Sequence, residues 1–465
     1  MSALGAAARQ RPVRVTHASV LRLALPMTLA HMSTPLLGFA DTAVIGRLGQ
    51  ASLLGAIATC AVIFDFTFWP LGFLRLGTSG LVAQATGAGA GEEERATVLR
   101  ALILAAFLAA ALVALQRPIA WIAFTAMDAS PEVTAAARSY FDIRIWAAPF
   151  TLVNYVVLGT VTGRGRTDIG LVLQVLINLV NIVFNVTLVM GLGLGVRGSA
   201  LGTLAAEGLG CLVGLLVLYH LYGPRFAVPW RLLRDRARLA RMVGVNRDIM
   251  IRSAALIFAF AFFTAQGARG GDLVLAANAV LMNLFLITAY FLDGFATAAE
   301  QMCGQSVGAG DPSGFRRAVR LTTFWCLILS TVATALAFFG GGAFIDLVST
   351  DPAVRHLARL YLPFAALTPV LGALAFEFDG VFIGATWTSD MRNLMLVALG
   401  LYLALFLALR SFGNTGLWLA LLGFLAARGG LQAWRYGWLA SRTFLDPEQS
   451  PPMHPVAGLG VPDDG

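Results

Sequence analysis

The chain has 465 residues, of which 58% are hydrophobic and 12% charged, and its mean hydropathy of +0.77 is typical of an integral membrane protein rather than a water-soluble domain. All 33 basic residues are arginines, so the chain lacks the lysine of a phosphate-binding loop or of Schiff-base chemistry, and we exclude ATP-driven transport by this chain. The net charge of +8 is spread between apolar segments, which favours membrane orientation over nucleic-acid binding.

Twelve apolar windows are long enough to cross a bilayer as helices, which takes about 20 residues each. In the first half of the chain they lie at 21–45, 51–73, 96–116, 137–160, 169–190 and 199–221. In the second half they lie at 248–267, 273–299, 318–340, 357–383, 391–410 and 414–440. The first window is too long for the apolar core of a signal peptide, so we interpret it as a retained first span.

The polar segments between these windows predict the domain organisation. Arginines concentrate in the N-terminal arm, in the connector after the sixth window and in alternate loops, which predicts that both termini are cytoplasmic. The predicted parts are a cytoplasmic arm at 1–20, a six-helix lobe at 21–221, a cytoplasmic linker at 222–247, a second six-helix lobe at 248–440 and a polar cytoplasmic tail at 441–465.

An internal repeat relates the two sets of six windows. The segment VAQATGAG at 82–89 returns as CGQSVGAG at 303–310, an offset of 221 residues, and at that offset 53–89 matches 274–310 at 10 of 37 positions. A chain of this composition would give roughly three matches by chance. Because each copy holds an even number of spans, both enter the membrane in the same sense. The predicted fold is therefore an all-α membrane protein of twelve helices, in two parallel six-helix lobes with a central cleft.

Polar residues of the first lobe that have apolar partners at this offset indicate a functional pocket. Asp41 aligns with Phe262, and the amides of the fifth span are spaced by three and four residues, so they share one helical face. An intramembrane carboxylate costs several kcal/mol unless it is paired, hydrated or neutralised, which favours proton or cation binding at Asp41 over a purely structural acid. For each single amide, helix packing is an equal alternative. The predicted pocket residues are Asp41, Tyr140, Asn154, Asn178, Asn181, Asn185 and Thr203.

The second lobe has intramembrane acids of its own. Asp293, Glu300 and Asp379 are candidate transport residues, and Glu377 lies close to the last of them in sequence. Structural ion pairs are the alternative interpretation, with Arg75 of the second span as one candidate partner.

The remaining reactive residue types predict neither catalysis nor metal binding. The four cysteines have no paired spacing, and the five histidines are scattered singly. We therefore expect a protein that is not an enzyme, with no catalytic residue, no metal site and no cofactor.

Three strings carry a resemblance to a known family: LPMT at 25–28, FADTAVIGRLG at 39–49 and VAQATGAG at 82–89. With twelve spans in two like lobes, they resemble the multidrug and toxic compound extrusion (MATE) transporters. GFLRLGT at 72–78 and DGVFIGAT at 379–386 are similar to the DNA-damage-inducible F (DinF) branch of that family. The resemblance runs from about residue 20 to residue 440.

The resemblance implies a secondary antiporter of the bacterial inner membrane that exports lipophilic and often cationic small molecules by alternating access, against a flow of H⁺ or Na⁺. In the family, the acid matching Asp41 takes up the coupling ion, and the first helix bends at the proline matching Pro26. The positions that line the same pocket match Tyr140, Asn154, Asn181, Asn185 and Thr203. We expect a monomer in the lipid bilayer, with no nucleic-acid partner.

One departure from the family bears on the coupling ion. Many relatives carry a second aspartate where this chain has Asn185, which leaves Asp41 as the one obvious carboxylate. A single carboxylate can carry a proton by neutralisation, whereas Na⁺ usually needs several oxygen ligands, so H⁺ is favoured and Na⁺ is the alternative. The second hypothesis is a lipid-linked precursor flippase of the same superfamily. It would have a strongly cationic central cavity, and the intramembrane arginines that we identify are few, mainly Arg75 and Arg144.

Overall fold

The computed structural model describes residues 14–127, 129–226 and 228–445. Most of the predicted N-terminal arm and of the predicted C-terminal tail lies outside these ranges.

In the first half of the chain the described residues form nine α-helices, of which several join end to end into single membrane-crossing rods. Helices α2 and α3 are joined by the 3₁₀ turn Pro70–Gly72, and α6 and α7 by Ile145–Ala147. The helices are α1 (His17–Gly46), α2 (Ala51–Phe68), α3 (Phe73–Gly87), α4 (Gly91–Ala114), α5 (Gln116–Met127), α6 (Pro131–Arg144), α7 (Ala148–Gly163), α8 (Thr167–Asn185) and α9 (Gly195–Tyr222).

The second half continues with one short helix in the connector and six long ones. These helices are α10 (Trp230–Leu233), α11 (Arg236–Arg269), α12 (Asp272–Gly308), α13 (Pro312–Val348), α14 (Pro352–Gly384), α15 (Thr388–Leu409) and α16 (Gly413–Leu445). Helix α11 begins twelve residues before the predicted span at 248–267, so the second half of the predicted linker is helical. Asp235 caps this helix by accepting hydrogen bonds from two backbone N–H groups of its first turn.

Ten segments of the described chain are long and apolar enough to cross a membrane. One of them, Thr388–Phe444, contains both α15 and α16, and α1 adds a further helix of 30 residues, about 45 Å long. With α1 included and α15 and α16 counted separately, the described residues form twelve helical segments long enough to cross a membrane, and each predicted window overlaps one of them. The predicted fold class is confirmed.

Equivalent helices of the two copies end at equivalent residues and make equivalent contacts. At the offset of 221 residues, α3 ends where α12 ends, α7 ends where α14 ends, and α8 begins where α15 begins. The contacts between α3 and α7 recur between α12 and α14, and those between α1 and α8 recur between α11 and α15. The two lobes meet where α1 and α3 pack against α12.

Glycines make the closest of these crossings. On α7, Gly159 and Gly163 face the carbonyl oxygens of Arg75 and Ser79 on α3, and a Cβ at either glycine would clash with them. Gly380 and Gly384 of α14 face the corresponding carbonyls of α12 in the same way. The small-x-x-x-small spacing thus brings the two central helices of each lobe into backbone contact.

Candidate functional site

A chain of side-chain hydrogen bonds begins at Asp41 and crosses from α1 to α9. Asn185 Nδ2 donates to Asp41 Oδ1 and lies 3.3 Å from Asn181 Oδ1, and Asn181 Nδ2 donates to Thr203 Oγ1 at 3.1 Å. Thr203 in turn donates to the carbonyl oxygen of Ser199 at 3.1 Å. Asp41 is half-buried, whereas Asn181 and Asn185 are each only 1% exposed. The amides therefore connect the carboxyl group of Asp41 with the interior of the first lobe.

The position of Asn185 depends on a change in helix type. It is the last residue of α8, and the next six residues, Val186–Gly191, form a π-helical turn. Wider π turns occur often at functional sites because they redirect the side chains that flank them. Here the turn follows directly after the residue that contacts Asp41.

Tyr140 and Arg144 of α6 complete the surroundings of Asp41. Tyr140 is 8% exposed and lies close enough to Asp41 and Thr203 to interact with both. The Arg144 guanidinium interacts electrostatically with Asp41 and lies 5.3 Å from the ring centroid of Phe64. The cation is thus held against an aromatic face, an arrangement that contributes about 0.5–2 kcal/mol.

Two of the predicted pocket residues have other partners. Asn178 Nδ2 donates to Ser33 Oγ of α1 at 2.6 Å. Asn154 Nδ2 donates to Glu207 Oε2 of α9 at 2.8 Å and lies 3.1 Å from the Glu207 carbonyl oxygen. The structure therefore brings Asn154 to a second carboxyl group, Glu207, which the sequence analysis missed.

Pro26 lies in the N-terminal half of α1, away from Asp41, where this helix crosses α12 of the second lobe. Proline cannot donate to the carbonyl oxygen four residues earlier, and that oxygen, on Arg22, lies 3.5 Å from Thr167 Oγ1. Two residues further on, Thr28 packs so closely against Gly294 of α12 that a Cβ there would clash. The predicted bending position therefore lies between Ala24 and Thr28, which both lie against Gly294 of the second lobe.

A second polar site lies between the lobes, in a cavity of about 200 Å³. It contains all three candidate acids of the second lobe, and the structure separates them from the hydrogen-bond chain of Asp41. The charged residues that line the cavity are Arg75, Arg252, Asp293, Glu300, Asp379 and Arg428.

Asp379 is paired with two arginines of this cavity. Arg252 of α11 and Arg428 of α16 both form ion pairs with Asp379 Oδ2, and Gln432 Nε2 donates to Asp379 Oδ1 at 2.8 Å. The expectation that Arg75 and Arg144 are the main intramembrane arginines is therefore wrong. Arg252 and Arg428 each lie within apolar sequence, and their shared partner comes from a third helix, so the pairing could not be recognised from sequence.

Two other buried acids of the second lobe lie beside hydroxyl groups. Glu300 lies beside Ser79 of α3 and is 3% exposed. Glu377 is fully buried outside the cavity, where Thr322 Oγ1 of α13 donates to its Oε1 at 2.5 Å. Sequence proximity to Asp379 therefore does not place Glu377 in the same site.

A polar contact joins the lobes at the end of the molecule where the connector lies, which we call the linker end. Gln84 Nε2 of α3 donates to the Gly384 carbonyl oxygen at 2.8 Å and to Thr386 Oγ1 at 3.2 Å. Arg241 of α11 donates to Gln84 Oε1 at 2.6 Å and to Thr386 Oγ1 at 3.1 Å. The first lobe, the second lobe and the helix after the connector therefore meet at this point.

Among the described residues, no group of three or more His, Cys, Asp or Glu side chains is arranged to hold a metal ion. The carboxyl groups of the two sites can bind and release protons or form ion pairs, and the amides can form hydrogen bonds with them.

Comparison with known proteins gives a consistent family assignment. Residues 26–187 and 249–408 match the MatE family separately, one match in each repeat. DNA damage-inducible protein F of Escherichia coli K12 is 39% identical, over 90% of this chain and 91% of that protein. A probable multidrug resistance protein NorM from Xanthomonas campestris is 25% identical, over 89% of this chain and 92% of that protein.

Solved structures show the same fold. A MOP superfamily transporter from Pyrococcus furiosus superposes with a TM-score of 0.82 at 19% identity, over 92% of this chain and 96% of that one.

Proposed function

The chain belongs to the MatE family, and from this premise we propose that it is a secondary antiporter that exports lipophilic and cationic toxic compounds by alternating access, in exchange for H⁺. MATE transporters are transport proteins rather than enzymes, handle small molecules within the membrane and need no cofactor. The multi-pass helical fold places the chain in a membrane. In our proposal this is a bacterial inner membrane, with both termini cytoplasmic and the chain acting as a monomer.

The observation that carries the proposal is the half-buried carboxyl group of Asp41 at the head of the hydrogen-bond chain to Asn185, Asn181 and Thr203. Within a membrane, a charged carboxylate is costly, and protonation removes that cost. When Asp41 becomes neutral, its contacts with the Asn185 amide and the Arg144 cation weaken, so protonation favours a different arrangement of α1 against α8. Asp41 thereby couples proton uptake to a change in the pocket.

The neighbours of Asp41 support H⁺ over Na⁺ as the coupling ion. Asn185 presents its NH₂ group to the carboxylate, and Arg144 adds positive charge nearby. A bound Na⁺ would need oxygen ligands in these directions and would be repelled by the arginine. Na⁺ coupling through Asn and Thr oxygens is the alternative that the experiment below tests.

The cavity between the lobes is the proposed substrate site. Asp293 interacts electrostatically with the arginines of the cavity but forms no ion pair within 4 Å among the described residues. Its carboxyl group can therefore contact a cationic substrate, while Phe260 and Phe285 provide apolar contacts. The three arginines of this cavity favour the second candidate, a lipid-linked precursor flippase, because such a substrate carries anionic phosphates. Three carboxyl groups line the same cavity and offset that charge, so we favour the multidrug antiporter.

Transport by Asp41→Asn tests the proposal. In everted membrane vesicles, we expect wild-type efflux of a lipophilic cation to follow an imposed pH gradient and not an imposed Na⁺ gradient. Asp41→Asn should reduce this efflux at least tenfold, and cells expressing it should lose resistance. Asp272→Asn, which changes an exposed acid at the start of α12, is the matched control and should behave as wild type. Full export by Asp41→Asn would overturn the role of Asp41, and efflux driven by Na⁺ alone would overturn H⁺ coupling.

A further inference from the structure

Glu207 is a second carboxyl group inside the membrane-spanning part of the first lobe. It lies on α9, four residues after Thr203, so it is on the same helix face as Thr203 and about 6 Å along the helix axis from it. Thr203 is the last side chain of the hydrogen-bond chain that begins at Asp41. Glu207 therefore extends the polar interior of this lobe by one helical turn.

The surroundings of Glu207 are polar but contain no compensating cation. Its side-chain hydrogen bond comes from Asn154 of α7, at 2.8 Å. None of the arginines whose side chains the structure describes lies within 4 Å of it. The titratable groups that interact with it are Tyr155 of α7 and Cys211 of α9 itself.

Charged groups on three other helices lie near this position but form no ion pair with Glu207. They are Arg75 of α3, Arg144 of α6 and Asp65 of α2, which all interact with Tyr155. Arg144 of α6 lies beside Asp41, and α8 contributes amides to this interior rather than charges. The carboxyl group of Glu207 accepts from one amide and forms no ion pair, so within a membrane it can bind and release a proton without breaking a salt bridge.

The equivalent position of the second lobe differs from Glu207 in its charge and in its partner. At the offset of 221 residues, Glu207 corresponds to Arg428, which is ion-paired with Asp379 in the second lobe. The second lobe thus compensates charge at this level of the helix pair, and the first lobe does not.

We propose that Glu207 and Asn154 form a second proton-binding site, which loads and releases one proton in each transport cycle in addition to the proton carried by Asp41. In this step one O–H bond forms at the Glu207 carboxylate when a proton enters from one side, and the same bond breaks when the proton leaves on the other side. The inference rests on the proposed antiport. It supplies the second carboxyl group that this chain lacks at Asn185.

Charge movement tests this stoichiometry. Exchange of one monovalent cation for two protons moves one net charge, whereas exchange for one proton moves none. For a monovalent lipophilic cation such as tetraphenylphosphonium, we expect wild-type export to respond both to a pH gradient and to a membrane potential of about 100 mV, which shifts the steady-state gradient by about 50-fold for each net charge. Export by Glu207→Gln should keep its response to the pH gradient and lose its response to the potential.

Two further variants distinguish loss of the Glu207 carboxyl group from a folding defect. Glu207→Leu with Asn154→Leu removes both hydrogen-bond partners together and leaves no unpaired buried group, and it should behave as Glu207→Gln. Glu207→Asp keeps a carboxyl group and should keep the response to the potential. If Glu207→Gln and the double variant export the cation with the wild-type response to potential, the second site is overturned.

Proton release separates this inference from the role of Asp41. Binding of tetraphenylphosphonium to purified protein in weakly buffered detergent should release close to two protons per site in the wild type, measured with a pH indicator. Glu207→Gln and Asp41→Asn should each release about one fewer. A deficit in Asp41→Asn alone would overturn the Glu207 site and leave the proposed function intact. A deficit in Glu207→Gln alone would overturn the role of Asp41 and leave the Glu207 site in place.

Discussion

Asp379 shows how a buried charge is retained within the membrane-spanning region. Asp379 is 5% exposed, and its carboxylate is compensated by Arg252 and Arg428 together with the amide of Gln432. Removing one member of such a cluster leaves an uncompensated charge, whereas removing members together restores the balance. The cluster ties α11, α14 and α16 to one another near the cavity between the lobes.

We therefore expect Asp379→Asn to lower the free energy of unfolding by about 3–5 kcal/mol, measured by denaturant titration in detergent micelles. Adding Arg428→Met to Asp379→Asn should recover part of this loss, because one of the two cations that have lost their ion-pair partner is removed. Asp346→Asn is the control, since Asp346 forms an exposed pair with Arg359 at 2.7 Å, and its loss should cost less than about 1 kcal/mol. Equal effects of the two single substitutions would contradict the buried-cluster interpretation.

Single residues differ in how far the sequence reveals them. Asp41 and Asn185 could be selected because their partners at the repeat offset are apolar. Glu207 could have been selected by the same comparison, because its partner is an arginine of opposite charge, and that signal was available. Which helix supplies the partner of Arg252 or Arg428 depends on the crossing of three helices, and one sequence does not contain that information.

At the scale of elements, α3 and α12 cross at the linker end through the repeated motif itself. A Cβ on Gly87 would clash with the Gln305 carbonyl oxygen, and a Cβ on Gly308 would clash with that of Gln84. Residues 84 and 305, and likewise 87 and 308, are equivalent by the 221-residue offset. The strongest sequence match between the copies therefore forms a symmetric contact between the lobes.

Gly308→Ala should weaken this crossing and let the lobes separate at the linker end. In a background without the four native cysteines, we expect Ser306→Cys, a position that is fully buried, to react with a small maleimide several-fold faster when Gly308→Ala is present. Gly244→Ala is the control, because nothing lies within 4 Å of a Cβ there. Equal labelling rates in the two alanine variants would mean that the crossing does not hold the lobes together.

Helix α1 connects the two candidate sites with the interface between the lobes. One half carries Asp41 and Ser33, which bond to α8 of the same lobe, and the other half packs Thr28 against Gly294 of the second lobe. Pro26 lies in the same N-terminal half of α1 as Thr28. A change in the contacts of Asp41 can therefore be transmitted along one helix to the packing between the lobes, which the apolar window at 21–45 alone could not indicate.

At the scale of the whole molecule, the repeat was sufficient to predict two parallel lobes, because the number of spans in each copy fixes their sense. The observed helices extend beyond the apolar windows, since capped ends such as Asp235 before α11 and Asp351 before α14 continue them into polar sequence. The surface along which the lobes meet could not be predicted. It is formed by close backbone approach and by contacts such as that of Gln84 with Thr386, whose geometry depends on the packed state.

The proposed alternating access would require the lobes to separate at the linker end during each cycle. A covalent link across that contact should therefore stop transport. We expect a Gln84→Cys, Thr386→Cys double variant, treated with a reducible bis-methanethiosulfonate cross-linker in a background without the native cysteines, to lose more than 90% of its efflux, and dithiothreitol should restore it. Efflux assays in everted vesicles, with cross-linking scored by proteolysis between the lobes, provide the measurement.

The matched control links two residues of one lobe at the same end. Asp390 and Arg435 lie on α15 and α16 and form an ion pair at 2.9 Å, so the cross-linked Asp390→Cys, Arg435→Cys variant leaves the two lobes free to move relative to each other. Its efflux should change by less than twofold on cross-linking, because rigid lobes can still rock against one another. If the cross-lobe link is formed completely and efflux persists, transport does not require the opening of this contact. If the link within one lobe stops efflux equally, the lobes do not move as rigid bodies.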